Sequence, residues 1–162
     1  MNELSTQREV ARIELRIPAG AEWVRVARLT VAGVASRLPF PIDAIEDIKL
    51  AVSEAINNAI QHVPEQDQEA PAITLVIETS PDGLWVSVTD QGRLDAQLEG
   101  RKMPWGDELP EGGLGLMLIR SLMDQVDHQS GPQQDTVVRM FKAVPPPSSQ
   151  SARVGARPPV VR

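Results

Sequence analysis

Three short segments of this chain contain residue types whose spacing could serve chemistry. The first is AVSEAINNAIQH at 51–62, in which Glu54 and Asn58 are four residues apart and share one side of a helix. A carboxylate there could orient and deprotonate a nucleophile, and an amide oxygen could ligate a hard cation such as Mg²⁺ without adding charge. The alternative is a solvated helix face, because Glu and Asn at this spacing often occur by chance.

The second and third segments could hold the two ends of a nucleotide. In TDQG at 89–92, Asp90 ends a predicted strand and Gly92 permits close approach. The carboxylate could accept a hydrogen bond from an exocyclic amine, which distinguishes adenine from guanine; the alternative is an ordinary turn. EGGLGL at 111–116 offers free backbone N–H groups at a helix start, which suits phosphate, the alternative being a flexible hinge.

Two other nucleotide-binding motifs are excluded. The chain contains no Gly-x-x-x-x-Gly-Lys-Ser/Thr sequence, so it is not a P-loop protein. The Gly-x-Gly at 113–115 lacks a third glycine and a following strand–helix–strand unit, so a Rossmann fold is excluded too.

The surrounding pattern predicts an α+β fold, with helices on one face of a mostly antiparallel sheet. Period-two alternation predicts strands at 12–17, 73–78, 84–90 and 136–144, the middle two forming a hairpin through SPDG at 80–83. Helical spacing predicts helices over 22–37, from Asp43 to about Val63, and over 112–126. Residues 91–111 show no periodicity and form a long loop, a length that suggests a functional role.

The helix that carries Glu54 and Asn58 has clear start and packing signals. Asp43 and Glu46 have the spacing of an N-cap and a capping box. An apolar stripe would pack on the sheet, and Glu54 and Asn58 lie nearly opposite it, facing a cleft or solvent. The stripe comprises Ile45, Ile48, Val52, Ile56, Ala59 and Val63.

Composition limits the classes of partner and compartment. The 162 residues suit one domain over 1–143 and a Pro/Ser/Arg-rich flexible tail over 144–162. The net charge is -6, and because the tail carries three arginines and no acid, residues 1–143 hold -9. Such an acidic body disfavours direct nucleic-acid binding and suits a basic protein partner. No apolar run could span a membrane, MNELSTQREV lacks a secretory signal, and the chain has no cysteine, so we expect a cytoplasmic protein.

The order of the three motifs along the chain resembles the Bergerat ATP-binding fold of the GHKL superfamily, a two-layer α/β sandwich. The motifs are DIKLAVSEAINNAIQH, VTDQG and EGGLGLMLIRSLMDQV, and the resemblance covers about residues 8–143. Within the superfamily they look like the short anti-sigma factor/serine-protein kinases of bacterial partner-switching systems, of the RsbW and SpoIIAB type.

That resemblance implies roles for individual residues, with ATP and Mg²⁺ as ligands. Glu54 would be the general base for a serine hydroxyl, Asn58 the Mg²⁺ ligand, and Asp90 the acceptor for the adenine amine. Gly92 would line the base pocket, and residues 93–111 would form a lid over the nucleotide. The remaining nucleotide-binding positions would be Gly113, Leu114, Gly115, Leu116 and Thr136.

Two positions depart from the family pattern and one is assigned a structural role. Asn57 stands where relatives more often have a small Thr or Cys, and Arg93-Leu94 replaces the second glycine of the longer Asp-x-Gly-x-Gly motif. The family pattern does not explain the tail. His62 is expected to be a structural residue at the helix end, since Glu54 already occupies the base position.

The same resemblance implies protein partners. An anti-sigma-factor antagonist of the STAS type would be phosphorylated and a sigma factor would be sequestered. Relatives of this type commonly dimerise, so the resemblance allows a homodimer and leaves the oligomeric state open. Arg28 on the first helix would contact a partner, the alternative being a solvated arginine. Two other functions stay open: a non-catalytic ATP-binding anti-sigma module, and the catalytic part of a histidine kinase. The latter is disfavoured because no phosphoacceptor helix with an exposed histidine precedes the domain.

Overall fold

The computed structural model describes residues 10–63, 71–90, 113–131 and 134–146 of the chain. Three helices and five strands lie in this part, which confirms the predicted α+β class. Their order and bounds are β1 (Arg12–Pro18), α1 (Ala21–Ala35), α2 (Ile42–His62), β2 (Pro71–Ser80), β3 (Gly83–Asp90), α3 (Gly113–Leu122), β4 (Gln125–Gly131) and β5 (Gln134–Ala143).

The five described strands form one sheet in the order β1-β2-β3-β5-β4, and each neighbouring pair is antiparallel. The predicted hairpin is present, with Ser80 opposite Gly83 across a tight turn. On its other side β3 pairs with β5, and the register sets Asp90 opposite Thr136. The last residue of β3 and the start of β5 therefore lie side by side at one end of the strands.

The core lies between one face of the sheet and the helices. Alternate residues of the central strands are fully buried, as the period-two pattern requires; they are Ile73, Leu75, Ile77, Leu84, Val86 and Val88. The predicted stripe of α2 meets them, with Ile45 half-buried and its other members buried. Burial of one such isoleucine contributes about 1.5–3 kcal/mol, so this interface holds α2 firmly on the sheet.

Helix α2 is also covered on its flanks, because α1 and α3 both pack against it. Ala51 and Ala55, which lie outside the predicted stripe, are buried as a result. None of the described helices combines the length and apolar character needed to cross a membrane.

The opposite face of the sheet carries aromatic and charged side chains. The ring of Trp85 lies 4.7 Å from that of Phe141, and the Arg139 guanidinium lies 4.3 Å above the Trp85 ring. On β1, hydrogen bonds from Arg16 and then from Arg12 lower the pKa of the exposed Glu14. Trp85 and Phe141 thus form a cross-strand pair on this face, whereas the hydrogen bonds to Glu14 run along β1.

The predicted capping box of α2 is wrong. Pro41 occupies the N-cap with φ of -65°, and no side chain caps the helix. Asp43 lies inside the first turn, where its charge still favours the positive end of the helix dipole. Glu46 instead accepts a hydrogen bond from Lys49 at 2.6 Å.

The predicted helix over 112–126 is also too long. Helix α3 ends at Leu122, whose carbonyl accepts a hydrogen bond from Lys142 Nζ at 2.6 Å. The chain then turns, and the backbone N–H of Asp124 bonds to the carbonyl of Phe141. Residues 125–131 form the edge strand β4, which the sequence analysis missed because QVDHQSG lacks a strong apolar alternation.

Candidate functional site

Glu54 and Asn58 lie on the side of α2 that faces α3. Both side chains are half-buried, so they face a neighbouring element rather than open solvent. A Cβ on Gly115 would lie 2.6 Å from Asn58 Nδ2 and closer still to Glu54 Oε1. Two of the three motifs are thus in direct contact, and only a glycine leaves room for this pair at the start of α3.

The start of α3 has the geometry of an anion site. Gly113, its first residue, has a φ of +64°, in the left-handed region that favours glycine. The first backbone N–H groups of a helix have no partner within it, so those near Gly115 are available beside Asn58. Leu116 is buried and Leu114 is 75% exposed, so their side chains lie in different environments. What the two positions have in common is a backbone N–H near the start of α3.

Asp90 and Thr136 form the buried polar end of the site. Asp90 is 1% exposed, and its Oδ1 accepts a hydrogen bond from the backbone N–H of Thr136 at 3.3 Å. The Thr136 hydroxyl is also buried, yet it has no hydrogen-bond partner among the described residues. A buried polar atom without a partner costs about 1–3 kcal/mol, so this position is suited to a ligand with a complementary group.

His62 connects this buried end to α2. Its Nδ1 lies 3.2 Å from Asp90 Oδ2, with the imidazole about one-third exposed. The residue does end α2, as predicted, but its contact with Asp90 was not predicted from the sequence. The available signal was its spacing, because Glu54, Asn58 and His62 follow one another at four-residue intervals along one side of the helix.

Arg28 lies apart from these residues. It is exposed on α1 and lines a groove between α1 and α2 with Arg25, Lys49 and Asn57. Glu54, Asn58 and Asp90 do not line this groove. Gly92 and the predicted lid over 93–111 lie outside the described residues.

The described site therefore combines a carboxylate–amide pair, a glycine-containing helix start and a buried carboxylate, held between helices and an antiparallel sheet. A sequence model of the histidine kinase-like ATPase domain matches residues 17–142. Because the match covers most of the chain, the chain belongs to this family. The predicted relation to GHKL ATP-binding proteins is confirmed.

Curated relatives that are similar to this chain are serine-protein kinases. The chain is 44% identical over 122 residues to the serine-protein kinase RsbW of Staphylococcus epidermidis, covering 70% of this chain and 76% of the relative. It is also 44% identical over 129 residues to RsbW of Bacillus cereus (strain ATCC 10987 / NRS 248), covering 74% and 79% of the two chains. The predicted similarity to RsbW-type kinases is thereby confirmed.

A solved structure shows the same fold. The crystal structure of the RsbU and RsbW domains of Rv1364c from Mycobacterium tuberculosis matches this chain with a TM-score of 0.63 and 18% sequence identity. The match covers 84% of this chain and 33% of the longer one, so this chain spans one third of that protein.

Proposed function

We propose that this chain is an ATP-dependent protein serine/threonine kinase of a partner-switching system. The nucleotide would bind between α2, α3 and the strand ends where Asp90 of β3 lies opposite Thr136 of β5. The observation that carries this proposal is the buried hydroxyl of Thr136, which has no hydrogen-bond partner in the described part of the chain, beside the buried carboxylate of Asp90. Two buried polar groups at the ends of neighbouring strands are consistent with a ligand that completes their hydrogen bonds.

Adenine has a hydrogen-bond donor that suits the Asp90 carboxylate. An ionised carboxylate only accepts hydrogen bonds, and each of its oxygens has two lone pairs. The Thr136 N–H and His62 each engage one oxygen of Asp90, so acceptor capacity remains for the exocyclic amine of adenine. Guanine carries a carbonyl at the same position, and we propose that Asp90 rejects it for that reason. Gly92 is proposed to line the same pocket.

The phosphates are proposed to lie between Asn58 and the start of α3. The absence of a side chain on Gly115 leaves space beside Asn58, and backbone N–H groups near Gly113 and Gly115 would bind phosphate oxygens. We include the backbones of Leu114 and Leu116 in this group, as the resemblance implies.

The same residues fit Mg²⁺. Amide and carboxylate oxygens are its preferred protein ligands, and Asn58 offers one beside Glu54. Within the described ranges no three His, Cys, Asp or Glu side chains converge, so the rest of the coordination shell would come from water and phosphate. When bound, Mg²⁺ would offset the negative charge of the phosphates.

Glu54 is proposed as the base in the transfer step. It would accept the proton of a serine or threonine hydroxyl as that oxygen bonds to the γ-phosphorus. The bond from the γ-phosphorus to the β–γ bridging oxygen breaks, and ADP leaves. Phosphoryl transfer depends mainly on positioning and charge stabilisation. The half-buried Glu54 carboxylate would position the attacking hydroxyl, while Mg²⁺ and the backbone N–H groups of α3 would offset the phosphate charge.

For partners, we propose an anti-sigma-factor antagonist of the STAS type as the phosphorylated substrate and a sigma factor as the sequestered protein. Arg28 supports a docking face on α1, since it is exposed and separate from the nucleotide residues. The homodimer, the cytoplasmic location and the boundary between a domain over 1–143 and a tail over 144–162 stay predictions.

Two variants of α2 test this proposal, because they should fail differently. Glu54→Gln keeps the side-chain size and removes the base, so Mg·ATP should bind normally while transfer falls about 10²–10⁴-fold. Asn58→Ala removes a metal ligand, so Mg·ATP binding itself should weaken. Calorimetry measures binding, and radiolabelled γ-phosphate measures transfer to the antagonist.

Glu46→Gln is the matched control, since Glu46 is an exposed carboxylate of the same helix. It should behave as the wild type in both assays. Transfer by Glu54→Gln at the wild-type rate would contradict the base assignment. Normal Mg·ATP affinity in Asn58→Ala would contradict the assignment of the metal ligand.

A further inference from the structure

A row of polar side chains runs along α2, and His62 is its last member, at the end nearest Asp90. Glu54, Asn58 and His62 are spaced at four-residue intervals, so the row spans about 12 Å along the helix axis. Glu54 and Asn58 adjoin Gly115 at one end, and His62 adjoins Asp90 at the other. One rigid helix therefore joins the proposed transfer residues to the proposed base pocket.

The contact between His62 and Asp90 joins an imidazole nitrogen to a buried carboxylate oxygen. Asp90 is 1% exposed, and a buried carboxylate is stable only when its oxygens accept hydrogen bonds. Oδ1 accepts from the Thr136 N–H at 3.3 Å, and Oδ2 lies 3.2 Å from His62 Nδ1. With Asp90 ionised, the carboxylate can only accept, and the contact is then a hydrogen bond from the Nδ1–H tautomer of His62 to Oδ2.

Two bonds from different elements fix the plane of the carboxylate. Thr136 belongs to β5 and His62 to α2, so both the rotation of the Asp90 side chain and the direction of its free lone pairs are set. Without His62, only the longer bond to the Thr136 backbone would restrain the carboxylate, and it could turn away from an incoming amine.

We propose that His62 is a positioning residue for base recognition, which orients the Asp90 carboxylate toward the 6-amino group of adenine. This inference rests on the proposed function, because it assumes that Asp90 binds the base. It assigns His62 no part in phosphoryl transfer. The expected consequence of its loss is weaker discrimination between bases, with less effect on the binding of phosphates.

The test compares two triphosphates that differ at the base alone. Affinities of the full chain for ATP and for purine riboside triphosphate, which lacks the 6-amino group, are measured by calorimetry with excess Mg²⁺. His62→Phe keeps a ring without a donor and should weaken ATP binding about tenfold, the effect of one lost hydrogen bond. Its affinity for purine riboside triphosphate should stay as in the wild type.

His62→Asn provides the rescue, because its side-chain amide can donate from near the position of Nδ1. It should recover most of the preference for ATP, and Gln61→Ala, an exposed residue of the same helix end, should not alter it. Melting temperatures show whether each variant is folded. If His62→Phe is unfolded, His62→Asn decides: a lost preference with an intact fold would contradict the inference.

The outcomes separate this inference from the proposed function. Equal wild-type affinity for the two triphosphates would overturn the adenine pocket itself, and with it this inference. A wild-type preference that Asp90→Asn abolishes but His62→Phe retains would overturn the role of His62 alone. A His62→Phe variant that loses affinity equally for both triphosphates would show a purely structural residue.

Discussion

Replacing Gly115 by alanine should damage the chemistry of the site while leaving the fold intact. The added Cβ would lie 2.6 Å from Asn58 Nδ2, whereas ordinary contacts begin at 3.4 Å, so the amide must retreat by about 0.8 Å. Glu54 Oε1 would lie closer and must also move. Misplacement of catalytic groups by about 1 Å can cost about 10²-fold in rate, and we expect that loss in phosphate transfer.

The stability of this variant should change little. Both displaced atoms are ends of flexible side chains, and alanine is favoured over glycine inside helices by about 0.5–1 kcal/mol. We therefore expect the free energy of unfolding to stay within about 1 kcal/mol of the wild type. Thermal melts and a transfer assay with radiolabelled ATP measure the two effects on one preparation.

Gly33→Ala is the matched control on α1. Apart from its chain neighbours and the backbone of α1 itself, no atom of the described residues lies within 4 Å of the position that a Cβ would take on Gly33, and this residue is exposed. The variant should gain up to about 1 kcal/mol, which raises the melting temperature by roughly 2–4 °C, with unchanged transfer. If Gly115→Ala transferred phosphate at the wild-type rate, the close contact between α3 and the Glu54–Asn58 pair would not be required for activity, and the role assigned to this contact would be refuted.

Two further substitutions test the base pocket and the docking face. Thr136→Val removes a buried hydroxyl that has no partner within the described ranges, so the nucleotide-free protein should be as stable as the wild type or up to about 1 kcal/mol more stable. Its ATP affinity should fall about tenfold by calorimetry; unchanged affinity would contradict the assignment of Thr136. Arg28→Ala should weaken partner binding about tenfold in a pull-down titration and leave Mg·ATP affinity intact, whereas lost ATP affinity would contradict a docking role.

Local sequence patterns predicted the elements that carry the site. The stripe of α2 is buried almost as expected, and the hairpin over β2 and β3 follows from two alternating segments around one turn. These features depend on residues near one another in the chain, where periodicity is informative. The N-cap of α2 was placed two residues late, because Pro41 rather than Asp43 takes the cap position.

Contacts between residues that are far apart in the chain could not be predicted from such local patterns. His62 and Asp90 are 28 positions apart, and Asp90 and Thr136 are 46 apart, so only the packing of α2 and the register of β5 bring them together. The edge strand β4 was missed for a related reason. Its polar residues form a strand through pairing with β5, which no local pattern reveals.

The central claim is tested most directly by single-turnover phosphate transfer with the wild-type chain. The protein is loaded with Mg²⁺ and ATP labelled on the γ-phosphate, then mixed with the antagonist identified by co-purification. The proposed function predicts that the label moves to a serine or threonine of the antagonist as ADP forms. A chain that binds ATP tightly yet transfers no label would contradict the kinase proposal and favour a non-catalytic anti-sigma module.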